Sequence, residues 1–336
     1  MVAGPTGSGK TRLVNRLLAD PTFADTAVIL NDFGVTELAG ALVETAAGDY
    51  FSFGSGCVCC AVRGALTDGL ENLLRDLDNG RVAAVRRVVI EADAAADPAA
   101  IFGGLARHPY LSLRFVPDGV IAVLAAQNAD VILADRADTV RQAAMADVIA
   151  VTGGAVPALA ALNPRAALVD AAIAPASAFT GHGAFDPATG DLAAWLGPDP
   201  GPPPVSLSGE AARIRSFTVA RSRAIPLIAL DRLLEYLAFL QGHNLIRIRG
   251  AVATSDAETV VVEGMGGFFY PPEVIDRPLL EAPEVRFSVV ARDLERATFE
   301  GYLDAFLNEA RIDTPDRAAL TENPLAIAGF TAREGR

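Results

Sequence analysis

The chain has 336 residues, 51% of them apolar, with a net charge of −13 and three cysteines. That length allows two domains and a sizeable core, while the apolar runs break off well short of membrane-spanning length. The acidic balance argues against nonspecific nucleic-acid or anionic-membrane partners, and three clustered cysteines point to a reduced, cytoplasmic setting rather than a disulfide framework.

The first motif begins at residue 4. Gly4-Pro5-Thr6-Gly7-Ser8-Gly9-Lys10-Thr11 is a complete phosphate-binding loop. Gly4, Gly7 and Gly9 permit unusual dihedrals and close approach, so that backbone N–H groups, including that of Ser8, converge on a phosphate. The helix that follows adds the positive end of its dipole. Lys10 is expected to reach the β- and γ-phosphates, and the Thr11 hydroxyl to ligate Mg²⁺. Only Met1-Val2-Ala3 precede the loop, so the first strand is expected to be very short, or the chain to have been cut or started late. The plain alternative, a glycine-rich turn that binds nothing, does not explain the full eight-residue match.

Ala27–Leu30 reads as the next strand and runs into Asn31-Asp32-Phe33-Gly34-Val35-Thr36-Glu37. The cysteines follow, at Cys57, Cys59 and Cys60 within Ser55-Gly56-Cys57-Val58-Cys59-Cys60. Thiolates are strong ligands for zinc and other soft or borderline metals, and a nearby helix N-terminus favours the anion. One cysteine would read as a small buried hydrophobe; three in four residues read as a metal site, with thiol redox chemistry as the alternative. A closed tetrahedral site needs a fourth ligand, and the carboxylates of the Asp32 segment are better candidates than the scattered His108, His182 and His243. The helix after the cysteines is marked by Leu66, Leu70, Leu73, Leu74 and Leu77 at three- and four-residue steps.

Arg87–Ile90 is an apolar strand ending in Glu91, a carboxylate suited to orienting a water or the magnesium shell beside a phosphate loop. Strands at Gly119–Leu124, Val148–Val151 and Ala166–Val169 alternate with helices after Pro98, Asp138 and Val156. The pattern is α/β: a P-loop nucleotide-binding domain over 1–174, with a mostly parallel sheet flanked by helices. Residues 175–210 end in Gly197-Pro198-Asp199-Pro200-Gly201-Pro202-Pro203-Pro204 and read as a linker. A smaller α+β domain is expected over 211–312, with strands at Arg213–Ala220, Leu245–Ala253, Val260–Glu263 and Val285–Val290 and helices at Leu227–Leu240 and Phe299–Leu307. An irregular tail over 313–336 completes the chain.

In this order the motifs resemble the CobW-type GTPases, relatives of the metallochaperones HypB and UreG. In that family a phosphate loop precedes an Asn-Glu-Phe-Gly segment, a Gly-Cys-x-Cys-Cys motif and a strand ending in Glu-x-x-Gly before Asp-Pro. The counterparts here are Gly4 to Thr11, Asn31 to Gly34, Gly56 to Cys60, and Glu91-Ala92-Asp93-Ala94 before Asp97-Pro98. Asn163-Pro164-Arg165-Ala166, Arg247-Ile248-Arg249-Gly250 and Val289 to Leu294 extend the likeness over nearly the whole chain. The resemblance implies nucleotide hydrolysis, with GTP and Mg²⁺, coupled to delivery of Zn²⁺, Co²⁺ or a similar metal to a client metalloprotein. It also assigns Asp32 and Ala94 to the nucleotide site. Four departures stand out, the first that Leu124 is followed by Ala125-Ala126 where the family has an aspartate after the strand. Ala94 replaces the switch glycine, a histidine-rich stretch is absent, and Thr152-Gly153-Gly154-Ala155 stands where the family reads guanine with Asn-Lys-x-Asp, which leaves ATP open as the nucleotide. Two other functions fit the same motifs: a nonenzymatic nucleotide- and metal-binding sensor, favoured by the missing base-reading motif, and a P-loop small-molecule kinase, which would need neither the cysteines nor the second domain.

Overall fold

The short apolar runs of the first half pair side by side as strands in the computed structural model of the protein, which describes residues 1–30, 50–52 and 65–307 apart from 83, 189, 198, 202, 256–257, 278 and 281–283. These strands are β1 (Val2–Ala3), β2 (Thr26–Leu30), β3 (Tyr50–Ser52), β4 (Arg87–Glu91), β5 (Ile121–Ala125), β6 (Val148–Thr152) and β7 (Ala167–Asp170). They form one sheet in the order β3-β2-β4-β1-β5-β6-β7, and every pairing is parallel. Such a sheet must be covered on both faces, and its strands alternate accordingly. Val2, Val28, Val89, Ile121 and Val123 pack against Leu13, Val14 and Leu17 of α1 (Lys10–Leu18). Ala3, Ile29 and Ile90 face the other way, onto Leu66, Leu70 and Leu74 of α2 (Ala65–Asp78) and Ile101 of α3 (Pro98–Arg107). The leucine spacing that marks α2 in the sequence is therefore its buried stripe.

Further along that second face, after the short α4 (Ala129–Asp135), lie α5 (Ala137–Met145) and α6 (Pro157–Leu162). Val140, Ala143, Leu159 and Leu162 cover Ala122, Leu124, Ile149 and Val151. Residues 175–210 connect to the second unit with aromatic packing of their own: beside α7 (Leu192–Leu196), Phe185 and Trp195 pack together with ring centroids 5.6 Å apart.

The second unit follows the strand and helix pattern expected of it. Strands β8 (Ile214–Arg221), β9 (Leu245–Ala253), β10 (Thr259–Met265), β11 (Phe268–Phe269), β12 (Glu273–Ile275) and β13 (Val285–Arg292) form an antiparallel sheet in the order β11-β10-β9-β13-β8, with β12 on β10. One face buries Val285, Phe287 and Val289 under α8 (Leu227–Gln241) and α9 (Arg296–Leu307). The other face joins the first unit, because Ile214, Ile246, Met265 and Val290 share a core with α5 and β5. Among the described residues, no helix is long and apolar enough to cross a membrane.

Charges close the seam. Asp147, just before β6, pairs with Arg247 (2.7 Å) and Arg249 (3.0 Å) of β9, and both arginines reach Glu263 of β10, at 2.9 and 3.4 Å. The four side chains are only 6–15% exposed. Arg165 crosses the same seam to Ser216 Oγ, Thr218 Oγ1 and the carbonyls of Phe217 and Val289. With no carboxylate among those acceptors, burial and the neighbouring Arg249 bring its pKa down to about 10.

Burial alone would raise the Asp147 carboxyl, but Arg247, Arg249 and the Val120 N–H outweigh it and hold the group below the usual aspartate range. Its contribution to stability is complete above the unfolded aspartate value of about 3.9 and is lost as pH falls through the lower folded value. Asp147→Asn is expected to cost about 3–5 kcal/mol, because it leaves surplus guanidinium charge buried, and to flatten the acid limb of the stability curve. Urea midpoints measured from neutral pH downward check both effects, and a midpoint unchanged at neutral pH would show that the seam is not dry.

Candidate functional site

The carboxyl ends of parallel strands form the edge where α/β proteins bind ligands, and here that edge carries the phosphate loop. The loop leaves β1 at Gly4, whose φ is +140°, and a Cβ there would run into the Val123 carbonyl oxygen of β5. Only glycine lets the loop start this close to the neighbouring strand. Gly7 (φ +78°) and Gly9 (φ +101°) complete the turn, and Ser8 N donates to Pro5 O at 3.2 Å. Among the described residues no side chain caps the start of helix α1, which leaves its first N–H groups for whatever enters the loop.

A polar cavity of about 340 Å³ lies over this turn, lined by Gly7, Ser8, Gly9, Lys10, Thr11 and, from across the sheet edge, Glu91, Ala94 and Thr152. Lys10 Nζ arches over the loop and donates to the carbonyls of Gly4 (2.9 Å) and Pro5 (3.3 Å). The Thr11 hydroxyl donates to Glu91 Oε1 at 2.7 Å. Residues 80 positions apart in sequence thus meet because β4 lies next to β1 in the sheet. Ser8 Oγ is buried with no hydrogen-bond partner among the described residues, and buried polar groups are ordinarily paired.

The structure therefore brings together Gly4, Gly7, Ser8, Gly9, Lys10, Thr11, Glu91 and Ala94. Asp32 and the cysteines Cys57, Cys59 and Cys60 lie outside the described residues, and among the described residues no three His, Cys, Asp or Glu side chains gather as a metal site. Thr152 stands out in the sequence only as part of a missing motif, yet it lines the cavity. Its Cγ2 lies where a Cβ on Gly9 would meet it, and its hydroxyl is 3.5 Å from the carbonyls of Ser8 and Leu124. A hydroxyl residue ending an apolar strand of this sheet was the only signal available for it. Gly153 and Gly154 follow with φ of +84° and +123° and offer no side-chain acceptor to a base.

Comparison with known proteins agrees with this geometry. Residues 1–153 match the family described as CobW/HypB/UreG, nucleotide-binding domain, and residues 214–307 match the Cobalamin synthesis protein cobW C-terminal domain. The zinc chaperone YjiA of Escherichia coli (strain K12) is 35% identical over 130 residues, covering 39% of this chain and 41% of that protein. The zinc-regulated GTPase metalloprotein activator 1 of Schizosaccharomyces pombe is 28% identical over 144 residues, 41% of this chain and 34% of its own. The matches thus span less than half the length of these curated relatives. The crystal structure of Zn(II)-bound YjiA GTPase from E. coli superposes with a TM-score of 0.69 at 22% identity, over 91% of this chain and 97% of that one, which establishes a common fold.

Gly4→Ala is expected to lower stability by about 2 kcal/mol or more, since it combines a disfavoured positive φ with a backbone clash. Gly7→Ala has the same sign of φ but open space around the Cβ position, so it should cost less. Chemical denaturation of the two variants tests the difference, and equal losses would mean that the approach to Val123 is not what fixes the glycine.

Proposed function

The chain belongs to the CobW/HypB/UreG family, and from that premise we propose that it is a nucleotide-dependent metallochaperone, coupling hydrolysis of a nucleoside triphosphate to the handing-on of zinc or cobalt. One observation carries the proposal: Lys10, Thr11 and Glu91 converge on a single cavity above the phosphate loop. Lys10 supplies positive charge for the β- and γ-phosphates. Thr11 and Glu91 present hard oxygens 2.7 Å apart, a donor set that fits Mg²⁺. When bound, that ion would neutralise charge on the transferred phosphoryl group. Glu91 orients the attacking water or the magnesium shell. GTP is the favoured nucleotide, because relatives are named as GTPases, although Gly153 and Gly154 supply no base-reading side chain.

The cargo is assigned to Cys57, Cys59 and Cys60, whose thiolates suit zinc and cobalt. These residues fall between β3 and α2 in the sequence. Leucines of α2 share a hydrophobic cluster with Ala92 and Ala96, which flank Ala94 in the cavity wall. That shared packing supports coupling between metal and nucleotide. A client metalloprotein in the cytoplasm is the proposed recipient, in keeping with the relatives' names of zinc chaperone and metalloprotein activator.

Lys10→Ala is expected to abolish tight triphosphate binding while the fold persists. Calorimetry with GTP and ATP on the wild type and the variant tests this, and unchanged affinity in a folded variant would overturn the phosphate-loop assignment. The same titrations should show GTP preferred over ATP by less than about a hundredfold, on the order of 2.7 kcal/mol, and a larger ratio would mean that an unassigned residue reads the base.

Co²⁺ titration tests the cargo site, since thiolate ligation gives intense charge-transfer absorption. Affinity should differ between the apo, diphosphate and triphosphate states and vanish in the Cys59→Ala, Cys60→Ala double variant. Binding that survives loss of both thiols would move the metal elsewhere. One thiol-dependent affinity in all three states would sink nucleotide-driven transfer.

A further inference from the structure

The backbone that follows Glu91 is pinned at several points. Ala92 N donates to Val2 O at 2.8 Å, Ala96 N donates to Asp93 O at 3.1 Å, and the Asp93 carboxylate accepts from Ala95 N at 2.8 Å. At the far end Asp97 caps α3 through Ala99 N (3.0 Å) and pairs with Arg141 Nε of α5 at 3.1 Å. Between these points lies one long-range contact. Gln142, on α5 and only 1% exposed, donates from its Nε2 to two carbonyls of the segment, Ala94 O at 3.1 Å and Ala96 O at 2.8 Å. Its Oε1 is buried with no partner among the described residues.

A buried acceptor left unmade is costly. Leucine would bring no unmet acceptor of its own but would take the donor from the Ala94 and Ala96 carbonyls, so the amide is accounted for by that grip rather than by packing. What the amide does is grip two carbonyls of the short stretch that forms one wall of the phosphate cavity. That stretch carries alanine at position 94, with less backbone freedom than glycine, and the grip from α5 selects which setting it takes. The helix providing the grip is itself fixed to the second unit. Arg247 donates to Met145 O at the end of α5 (2.9 Å), and a Cβ on Gly266, in the β10–β11 turn, would strike both Ala99 of α3 and Arg141.

We propose that Gln142 is a positioning residue for the terminal phosphate: it holds the Ala94 backbone in the cavity wall, from a helix seated on the second unit. The assignment rests on the nucleotide-hydrolase reading above. Gln142 itself does not line the cavity; it acts through Ala94. Losing its grip should therefore affect the triphosphate state and leave diphosphate binding, which depends on the loop, as it was.

The experiment uses the full chain with Gln142→Met, which keeps length and removes the amide, and Gln142→Glu, which places an acceptor against both carbonyls. Thr139→Ala is the control, a buried residue one turn earlier on the same helix. For each protein, affinities for GDP and a non-hydrolysable GTP analogue are measured with Mg²⁺, with the adenine pair in parallel, together with kcat, KM and the unfolding midpoint. In Gln142→Met, analogue affinity and kcat should each fall about tenfold, the scale of one well-made hydrogen bond, with GDP affinity unchanged. Gln142→Glu should fall at least as far. Thr139→Ala, which removes a hydroxyl with no partner among the described residues, should keep the wild-type ratio of triphosphate to diphosphate affinity.

A folded Gln142→Met with the wild-type ratio and kcat overturns the proposal, as does a ratio that falls equally in Thr139→Ala. If both Gln142 variants fail to fold, the residue is structural and the proposal falls. A wild type that binds neither nucleotide pair overturns the hydrolase reading itself, a separate and recognisable result.

Discussion

Buried charge must be paired, and in this protein the pairing requires both units at once. The first unit contributes Asp147 and the second contributes Arg247, Arg249 and Glu263. The first set carries one negative charge and the second a surplus positive one; only together do the four side chains sum to zero. Taking either set into a dry seam alone would cost several kcal/mol per uncompensated ion. The apolar residues around the seam, Ile246, Met265 and Val290 against α5 and β5, supply attraction without direction. The charges supply the register: Arg247 and Arg249, two residues apart on β9, present both guanidiniums on one face, where Asp147 and Glu263 receive them.

That register matters because α5 is the element the seam immobilises. Its C-terminal carbonyl at Met145 takes a hydrogen bond from Arg247, and those at Ala143, Ala144 and Ala146 nearby are capped by the Asn163 side chain. A helix so fixed at one end can serve as a reference for the segment at its side. The phosphate loop needs no such help. Its conformation follows from Gly4, Gly7 and Gly9 and from the close approach to β5. The site thus combines a loop rigid by local chemistry with a wall whose position is set at a distance, a division that suits a device meant to bind phosphate firmly and to report whether the terminal one is present.

What could be read from the sequence follows the range of the interactions. The phosphate loop is local, eight residues whose spacing is the site, and it was legible in full. So were the leucine stripe of α2 and the alternating strands of the second unit, since periodicity records burial. Glu91 was legible because an acid ending an apolar strand has a meaning once a phosphate loop precedes it. Gln142 was not, because nothing near it in sequence marks it, and Thr152 only faintly, as the hydroxyl ending an apolar strand; their contacts are with residues 46 and 144 positions away. The three-residue β3 is too short to show a period. The stretch 175–210 read as a linker from its prolines and glycines, and composition could not reveal that Trp195 lies under Arg249, 5.0 Å from the guanidinium carbon to the ring centroid.

If the proposed cargo metal is linked to nucleotide state, the same seam constrains that link. Ala92 and Ala96 belong to a hydrophobic cluster with Leu66, Leu70 and Leu74, the buried face of the helix that follows the cysteines in sequence. Any shift of the cavity wall therefore presses on α2 from one side, while Gln142 holds the wall from the other. Close-packed interiors do not deform continuously, so a wall gripped on both sides favours discrete settings over graded ones. Coupling of this kind needs no direct contact between thiolate and phosphate: the free energy that separates two settings of residues 92–96 is available to whichever ligand distinguishes them, and by linkage each ligand biases the other equally. Under the proposed function, the second unit would enter that balance through α5, whose Gln142 holds the carbonyls of Ala94 and Ala96.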